Sequence, residues 1–160
     1  MRNITITVDR KHQQHLKNNK TALRTHVGGF PELQPWDLNT DGIDPSGKDI
    51  WIHDCSILND DDSIAVKPCD TSCKLSDCSE NMLIENMVMT GFGASIGSVP
   101  PSANHHCVRN ITFRKISMPQ SGKGIYVKSN PSCGIEDNRT KTAEITNIVY
   151  EDIDISEPRW

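Results

Sequence analysis

Four stretches decide the fold: DIWIHDCSI (49–57), NMLIENMVM (81–89), NITFRKISM (110–118) and NIVYEDIDI (147–155). Each carries apolar residues at its second, fourth, seventh and ninth places and a polar or charged pair at its fifth and sixth. Alternation of this kind is the pattern of a strand with one face buried. The second residues, Ile50, Met82, Ile111 and Ile148, are spaced by 32, 29 and 37 positions. A recurrence of short β-runs at that interval points to a solenoid, each copy contributing one coil. β-Branched residues dominate and no helical stripe is present. The expected architecture is all-β, a right-handed parallel β-helix of about four to five coils. Coils should stack about 4.8 Å apart with their apolar residues inward. A β-sandwich is the competing fold, but it has no need of the same turn at the same place in every strand. The polar pair is expected to break each copy into shorter strands.

Working outward, NITITV (3–8) resembles an earlier copy, with Ile4, Ile6 and Val8 on one face. A second strand-like run follows three of the copies: SIAVK (63–67), ASIGS (94–98) and GIYVK (124–128). Residues 10–36 are polar and irregular, with His12, His15 and GGFPELQP, and read as a long loop. The whole of 1–160 is read as a single, partial β-helix domain.

The composition narrows the function classes. There are 17 basic and 21 acidic residues, for a net charge of −4, which gives no reason to expect nucleic acid or an acidic membrane surface as partner. No apolar run reaches membrane-spanning length. Six cysteines (55, 69, 73, 78, 107 and 133) and four glycosylation triplets, at Asn3, Asn19, Asn110 and Asn138, lean towards a secreted protein. No leader is visible before RNITITV, so a secreted chain implies further N-terminal sequence and reads as a fragment. The spacing Cys69-x3-Cys73-x4-Cys78 lacks a paired C-x-x-C knuckle and fits a disulfide-braced loop better than a metal site; six cysteines allow 15 pairings.

The chemistry is concentrated in NTDGIDPSGKDIWIHDCSILNDDDSIAVK (39–67). It holds two acidic clusters, Asp41/Asp44 and Asp60/Asp61/Asp62. If the second runs stack as one sheet, NTDGID stacks just before SIAVK, and Asp41 lies one coil from Asp61 and Asp62. Phe92, Ser95, Tyr126 and Lys128 follow along the same ridge, which predicts a groove with three carboxylates at one end and a cation at the other. Crowded carboxyls keep one of their number protonated near neutral pH. Glycoside hydrolysis needs one carboxyl protonated and another ionised, and inverting enzymes space them about 6.5–9.5 Å apart. Lys128 suits a negatively charged sugar. Taken alone, Asp60–Asp62 is a solvated turn or a calcium loop, Asp41 a turn residue before Gly42, and Lys128 an edge-strand lysine. His53, His105 and His106 read as structural or solvent-facing. Trp36, Trp51 and Trp160 are candidates for stacking on sugar rings, with Trp51 better read as packing and Trp160 standing at the chain end.

Taken in order, Asn39-Thr40-Asp41-Gly42, Asp61-Asp62, Gly91-x-Gly93-x-Ser95-Ile96-Gly97-Ser98 and Val127-Lys128 resemble glycoside hydrolase family 28, the polygalacturonases and their relatives, over about residues 37–160. The resemblance implies a right-handed parallel β-helix and inverting hydrolysis of a pectic polysaccharide by a secreted monomer, with no metal or other cofactor. It implies Asp61 as general acid, Asp41 and Asp62 holding and activating the water, Lys128 binding the substrate carboxylate and Asn39 supporting the site. Phe92, Ser95 and Tyr126 fall within the substrate-binding motifs. The polygalacturonase pattern has Gly-His-Gly where this chain has Gly91-Phe92-Gly93, and Arg-Ile-Lys where it has Tyr126-Val127-Lys128. Rhamnogalacturonan-cleaving members are similar in lacking that His and Arg. The family's Cys after the paired Asp is Ser63, so the local disulfide is different or missing. A pectin-binding protein without activity, a truncated inactive homologue and a purely structural solenoid remain alternatives.

Overall fold

The computed structural model describes residues 1–8, 39–69, 78–101, 106–129 and 142–158. Within them lie eight strands: β1 (Thr5–Thr7), β2 (Lys48–Leu58), β3 (Asp62–Val66), β4 (Cys78–Met89), β5 (Gly93–Ile96), β6 (His106–Pro119), β7 (Ile125–Val127) and β8 (Ala143–Ser156). They form two all-parallel sheets, β1-β2-β4-β6-β8 and β3-β5-β7. Each long strand but the last is followed by a short one in the other sheet or leads to the next coil, and the chain is a parallel β-helix.

The register follows the repeat residue for residue. Ile50, Met82, Ile111 and Ile148 pair in one row, and Ile52, Ile84, Phe113 and Tyr150 in the next. Cys55, Met87, Ile116 and Ile153 make a third row beyond the polar pair. These rows are the core, with Ile52, Ile84, Ile111 and Phe113 essentially inaccessible. Phe113 stacks on Tyr150 with ring centroids 4.7 Å apart, extending the row in the direction in which coils stack.

The polar pair bends the strand without breaking it. Asp54, Asn86, Lys115 and Asp152, the sixth residues, all have positive φ, as do the first residues Asp49, Asn81, Asn110 and Asn147. One residue in the left-handed conformation turns the chain, and the parallel pairing resumes at the next position. Asn and Asp tolerate that conformation better than other L-residues, which explains their recurrence there. The first residues also bond to one another between coils. Asn81 Nδ2 donates to Asp49 Oδ1 (3.0 Å), Asn110 Nδ2 to Asn81 Oδ1 (3.2 Å) and Asn147 Nδ2 to Asn110 Oδ1 (2.6 Å). Asn81→Ala forfeits two of these bonds and puts alanine, which tolerates the left-handed region less well than Asn, at the bend, so it should lose about 1–2 kcal/mol in urea unfolding. Asn81→Gly, which keeps the backbone freedom, should lose less. Equal losses would mean that the backbone conformation contributes nothing.

Two readings of the sequence change. The earlier copy at 3–8 does not align on its first residue. Arg2 bridges to His53 and Thr5 pairs with Ser56, so Asn3 matches the sixth residue Asp54 instead. Trp51 is 53% exposed rather than packed inside: it points outward, stacks on His53 at 3.9 Å and donates its indole N–H to Glu85.

Cys78 and Cys107 form a disulfide between successive coils, Cys69 is also disulfide-bonded, and Cys55 is a buried free thiol. Cys78 is therefore not a metal ligand. The loop expected at 10–36, with Trp36 and Asn19, and also Cys73, Cys133, His105, Asn138 and Trp160, lie outside the described residues. Among the described residues no helix is long and apolar enough to cross a membrane.

Candidate active site

The second sheet carries the acids. Ile43 bridges to Ile64, and the Gly42 and Ile43 N–H groups donate to the carbonyls of Asp62 (2.8 Å) and Ser63 (3.1 Å). NTDGID thus stacks one coil before β3, as the repeat implies. Gly42 is required by that approach, for a Cβ there would lie 2.5 Å from the Ser63 carbonyl oxygen. On the other side, the Phe92 N–H donates to the Asp61 carbonyl at 2.8 Å. Gly91 makes this turn at φ +52, and a Cβ on it would lie 2.1 Å from the same oxygen.

Asn59, which sequence reasoning passed over, ties these segments together. It is buried, and its Nδ2 reaches the carbonyls of Thr40 (2.8 Å), Asp61 (3.0 Å) and Asp62 (2.9 Å). Its Oδ1 accepts from Ser63 Oγ at 2.7 Å, and its main chain bonds in both directions with Thr90 Oγ1. Ser63, standing where the resembling family has Cys, is absorbed in this network.

Asp61 and Asp41 meet. Asp41's carboxyl is within hydrogen-bonding reach of Asp61's, a contact that requires a proton on one of them. Burial first, then the charge of Asp41 and this bond, and last the charge of Asp62, push the Asp61 carboxyl up to about 6. The Asp62 N–H, which donates to Asp61 Oδ1 at 2.8 Å, opposes the rise. Asp44 belongs to the same field. Burial raises its carboxyl above the ordinary range, Asp41 and Asp62 add to the rise, and Lys67, 3.7 Å away, and Lys128 oppose it.

Lys128 is not at the far end of the groove. Its ammonium is ion-paired with Asp62 Oδ2, across the whole width of β5. Asp62 is 1% exposed and a carboxylate so buried requires a counter-charge; the long lysine stem reaches it. The other oxygen of Asp62, Oδ1, is buried and has no hydrogen-bond partner.

The remaining candidates separate. Tyr126 in β7 and Phe92 in the turn before β5 are half-buried and flank Lys123, whose ammonium lies 4.5 Å and 5.1 Å from their ring centroids. Lys128 Nζ lies 5.5 Å from the same Tyr126 ring. Ser95 pairs in register with Tyr126 but is fully buried, its hydroxyl donating to the Ile64 carbonyl at 3.3 Å, so it is part of the wall rather than of an open surface. Asn39 is exposed at the start of its segment. Asp60 is buried, its N–H donating to Thr40 Oγ1 at 3.2 Å. His53 and His106 have partners elsewhere, Asp54 and the Pro100 carbonyl. Lys123 and Asp44 were the further members missed. Asp44 lay within a recognised acidic cluster, whereas for Lys123 the available signal was a basic residue three positions before Tyr126.

A parallel β-helix with acids from two successive coils meeting at the edge of one sheet is the class that fold and site define. The chain belongs to the glycosyl hydrolases family 28, whose model matches residues 2–158. It is 32% identical over 112 residues to a probable rhamnogalacturonase E of Aspergillus niger, covering 69% of this chain and 20% of that protein. It is 31% identical over 120 residues to a probable endopolygalacturonase D of Emericella nidulans, covering 74% and 20%. Rhamnogalacturonase B of Aspergillus niger is 32% identical over 99 residues, covering 61% and 16%. The chain thus spans about a fifth of the length of these curated relatives. No solved structure matches it.

Proposed function

We propose that this protein hydrolyses α-glycosidic bonds in galacturonate-containing pectic polysaccharide, with inversion at the anomeric carbon. The observation that carries the reading is the Asp61 carboxyl, pushed up to about 6 beside Asp41 and Asp62. Asp61, protonated in mildly acidic solution, gives its proton to the glycosidic oxygen as the bond to the anomeric carbon breaks. A water attacks that carbon from the opposite face and passes its proton to Asp41 or Asp62. Lys128 is ion-paired with Asp62 rather than meeting the substrate directly. Asn39 supports the Asp41 segment, and Phe92 and Tyr126 offer apolar faces to a sugar ring.

Family membership and relatives named rhamnogalacturonase and endopolygalacturonase support a pectic substrate. Phe92 and Tyr126, at the positions of the His and Arg in the polygalacturonase pattern, favour rhamnogalacturonan over plain homogalacturonan. The Cys78–Cys107 disulfide favours an oxidising compartment, and hence secretion. All the site groups come from one chain, so a monomer suffices. Incubating the chain with rhamnogalacturonan and with homogalacturonan should release reducing ends faster from the former. Binding of both without release would establish the second reading, a non-catalytic pectin-binding protein, which the commitment of Lys128 to Asp62 favours.

A further inference from the structure

We propose that the outer face of the first sheet carries a second carbohydrate-binding site, on the other sheet from the acids, in which Trp51 is the stacking platform for a neutral sugar ring of the polysaccharide. The inference rests on the pectic reading above for the identity of the polymer, and not on which groups cleave it. Trp51 lies in β2 before the bend at Asp54, whereas Asp61 and Asp62 follow β2 at the turn into the second sheet. Its indole is 53% exposed, yet it is held in place. One face stacks on the His53 ring at 3.9 Å, and His53 is bonded to Asp54 at 2.8 Å. The indole N–H donates to Glu85 at 2.9 Å, and Arg114 donates to the same carboxylate at 2.8 Å. Among the described residues no other ring stacks on the indole. A fixed, solvent-facing aromatic surface loses little freedom on binding, and its apolar area is already ordered for a ligand. The surface continues beyond Trp51. Leu83, Thr112 and Val149 pair in its row on the next three coils, half-buried or exposed, and make a shallow strip with the indole at one end. Two positions before them run the linked, exposed amides of Asn81, Asn110 and Asn147, and two positions after them the Glu85–Arg114 ion pair. The charges beside Trp51 are matched, Glu85 with Arg114 and Lys48 with Glu80, which leaves no surplus cation for a uronate. A neutral ring fits: its C–H face packs on the indole while its hydroxyls meet amides that both donate and accept.

The test compares the chain with its Trp51→Ala and Trp51→Phe variants. Calorimetric binding is measured on polymeric rhamnogalacturonan, which carries neutral rhamnose, and on homogalacturonan, which is uronate throughout. Release of reducing ends is measured on polymeric rhamnogalacturonan and on its short oligosaccharides. Trp51→Ala is expected to weaken binding of polymeric rhamnogalacturonan by about three- to tenfold, the effect of losing one stacked ring. KM for the polymer should rise by the same factor with kcat unchanged. Release from the oligosaccharides, too short to engage both sheets at once, should stay at the wild-type rate. Trp51→Phe keeps an aromatic face and should retain most of the binding. Unchanged polymer binding in Trp51→Ala would overturn the proposal, and so would an equal loss on homogalacturonan or a slower release from the oligosaccharides. A wild-type chain that binds rhamnogalacturonan without cleaving it defeats the hydrolase reading and leaves Trp51 to be judged on binding. A wild-type chain that binds neither polymer overturns both.

Discussion

Asp61→Asn is expected to lower turnover of pectic substrate by about 10²–10⁴-fold, the usual contribution of a positioned general acid. The substitution is nearly isosteric. The amide oxygen can still accept the Asp62 N–H, and the amide nitrogen can donate to Asp41 without a shared proton. What is lost is the transferable proton, so the fold should persist while chemistry stops. The same carboxyl makes a second prediction, independent of substrate. Its value in the folded chain, about 6, lies above the ordinary carboxylate value near 3.9, so between those pH values the folded state binds more protons than the unfolded state. Stability therefore falls as pH rises through that window and is greatest on its acid side. Asp44, raised in the same direction, adds to the slope. Asp61→Asn should flatten the slope and be more stable than the wild type at pH 7. Thermal unfolding of both proteins from pH 4 to pH 7 measures this, and parallel curves would mean that Asp61 is not held protonated. In the wild type, turnover should decline as pH rises through about 6, because the acid form is consumed. Full activity in Asp61→Asn would remove Asp61 from the mechanism altogether.

The solenoid was legible in the sequence because its constraint is local and repeated. Every coil must place an apolar residue in the same row and a residue tolerant of positive φ at the same two bends, and Ile50, Met82, Ile111 and Ile148 pair as their spacing requires. The short copy at 3–8 shows where that reasoning stops. Both halves of a coil begin with Asn or Asp followed by alternating apolar residues, so Asn3-Ile4-Thr5 can match Asn110-Ile111-Thr112 or Asp54-Cys55-Ser56. Its hydrogen bonds choose the latter. The convergence of Asp41 with Asp61 followed from the stacking alone. The place of Lys128 did not, because a row assignment locates its Cα and not the end of a long flexible side chain drawn back to a buried carboxylate. Lys123 belongs to no motif, and its ammonium lies over the rings of Phe92 and Tyr126. Trp51 was misread for a related reason: its neighbours Ile50 and Ile52 alternate with it, and the alternation itself places it on the outer face.

Asn59→Ala should destabilise the chain by about 2–4 kcal/mol and misplace the acids besides. The alanine leaves the carbonyls of Thr40, Asp61 and Asp62 without their shared donor, in a region where Asn59 itself is 6% exposed. Some of the loss is recovered, since Ser63 Oγ already lies 2.8 Å from the Thr90 carbonyl and can turn to it the proton that it now donates to Asn59 Oδ1. The main-chain bonds between Asn59 and Thr90 also survive. Asn59→Asp is the sharper variant. It keeps the acceptor for Ser63 but turns the donor into a second acceptor facing three carbonyls and the neighbouring carboxyls. Burial and that charge raise its carboxyl in the folded state, so its cost is small in acid and grows as pH rises above about 3.9. At pH 7 it should be less stable than Asn59→Ala, and urea unfolding at pH 4 and pH 7 should show the difference narrowing in acid. A constant difference would mean that the Asn59 amide does not face those carbonyls. The positional claim is separable from stability. If Asn59 sets the spacing between Thr40 and the Asp61–Asp62 turn, turnover per folded molecule falls in Asn59→Ala, because general acid catalysis requires the carboxyl within hydrogen-bond reach of the leaving oxygen. Unchanged turnover in a destabilised but folded variant would confine Asn59 to stability and leave the turn to be held by Gly91 and the Phe92 N–H.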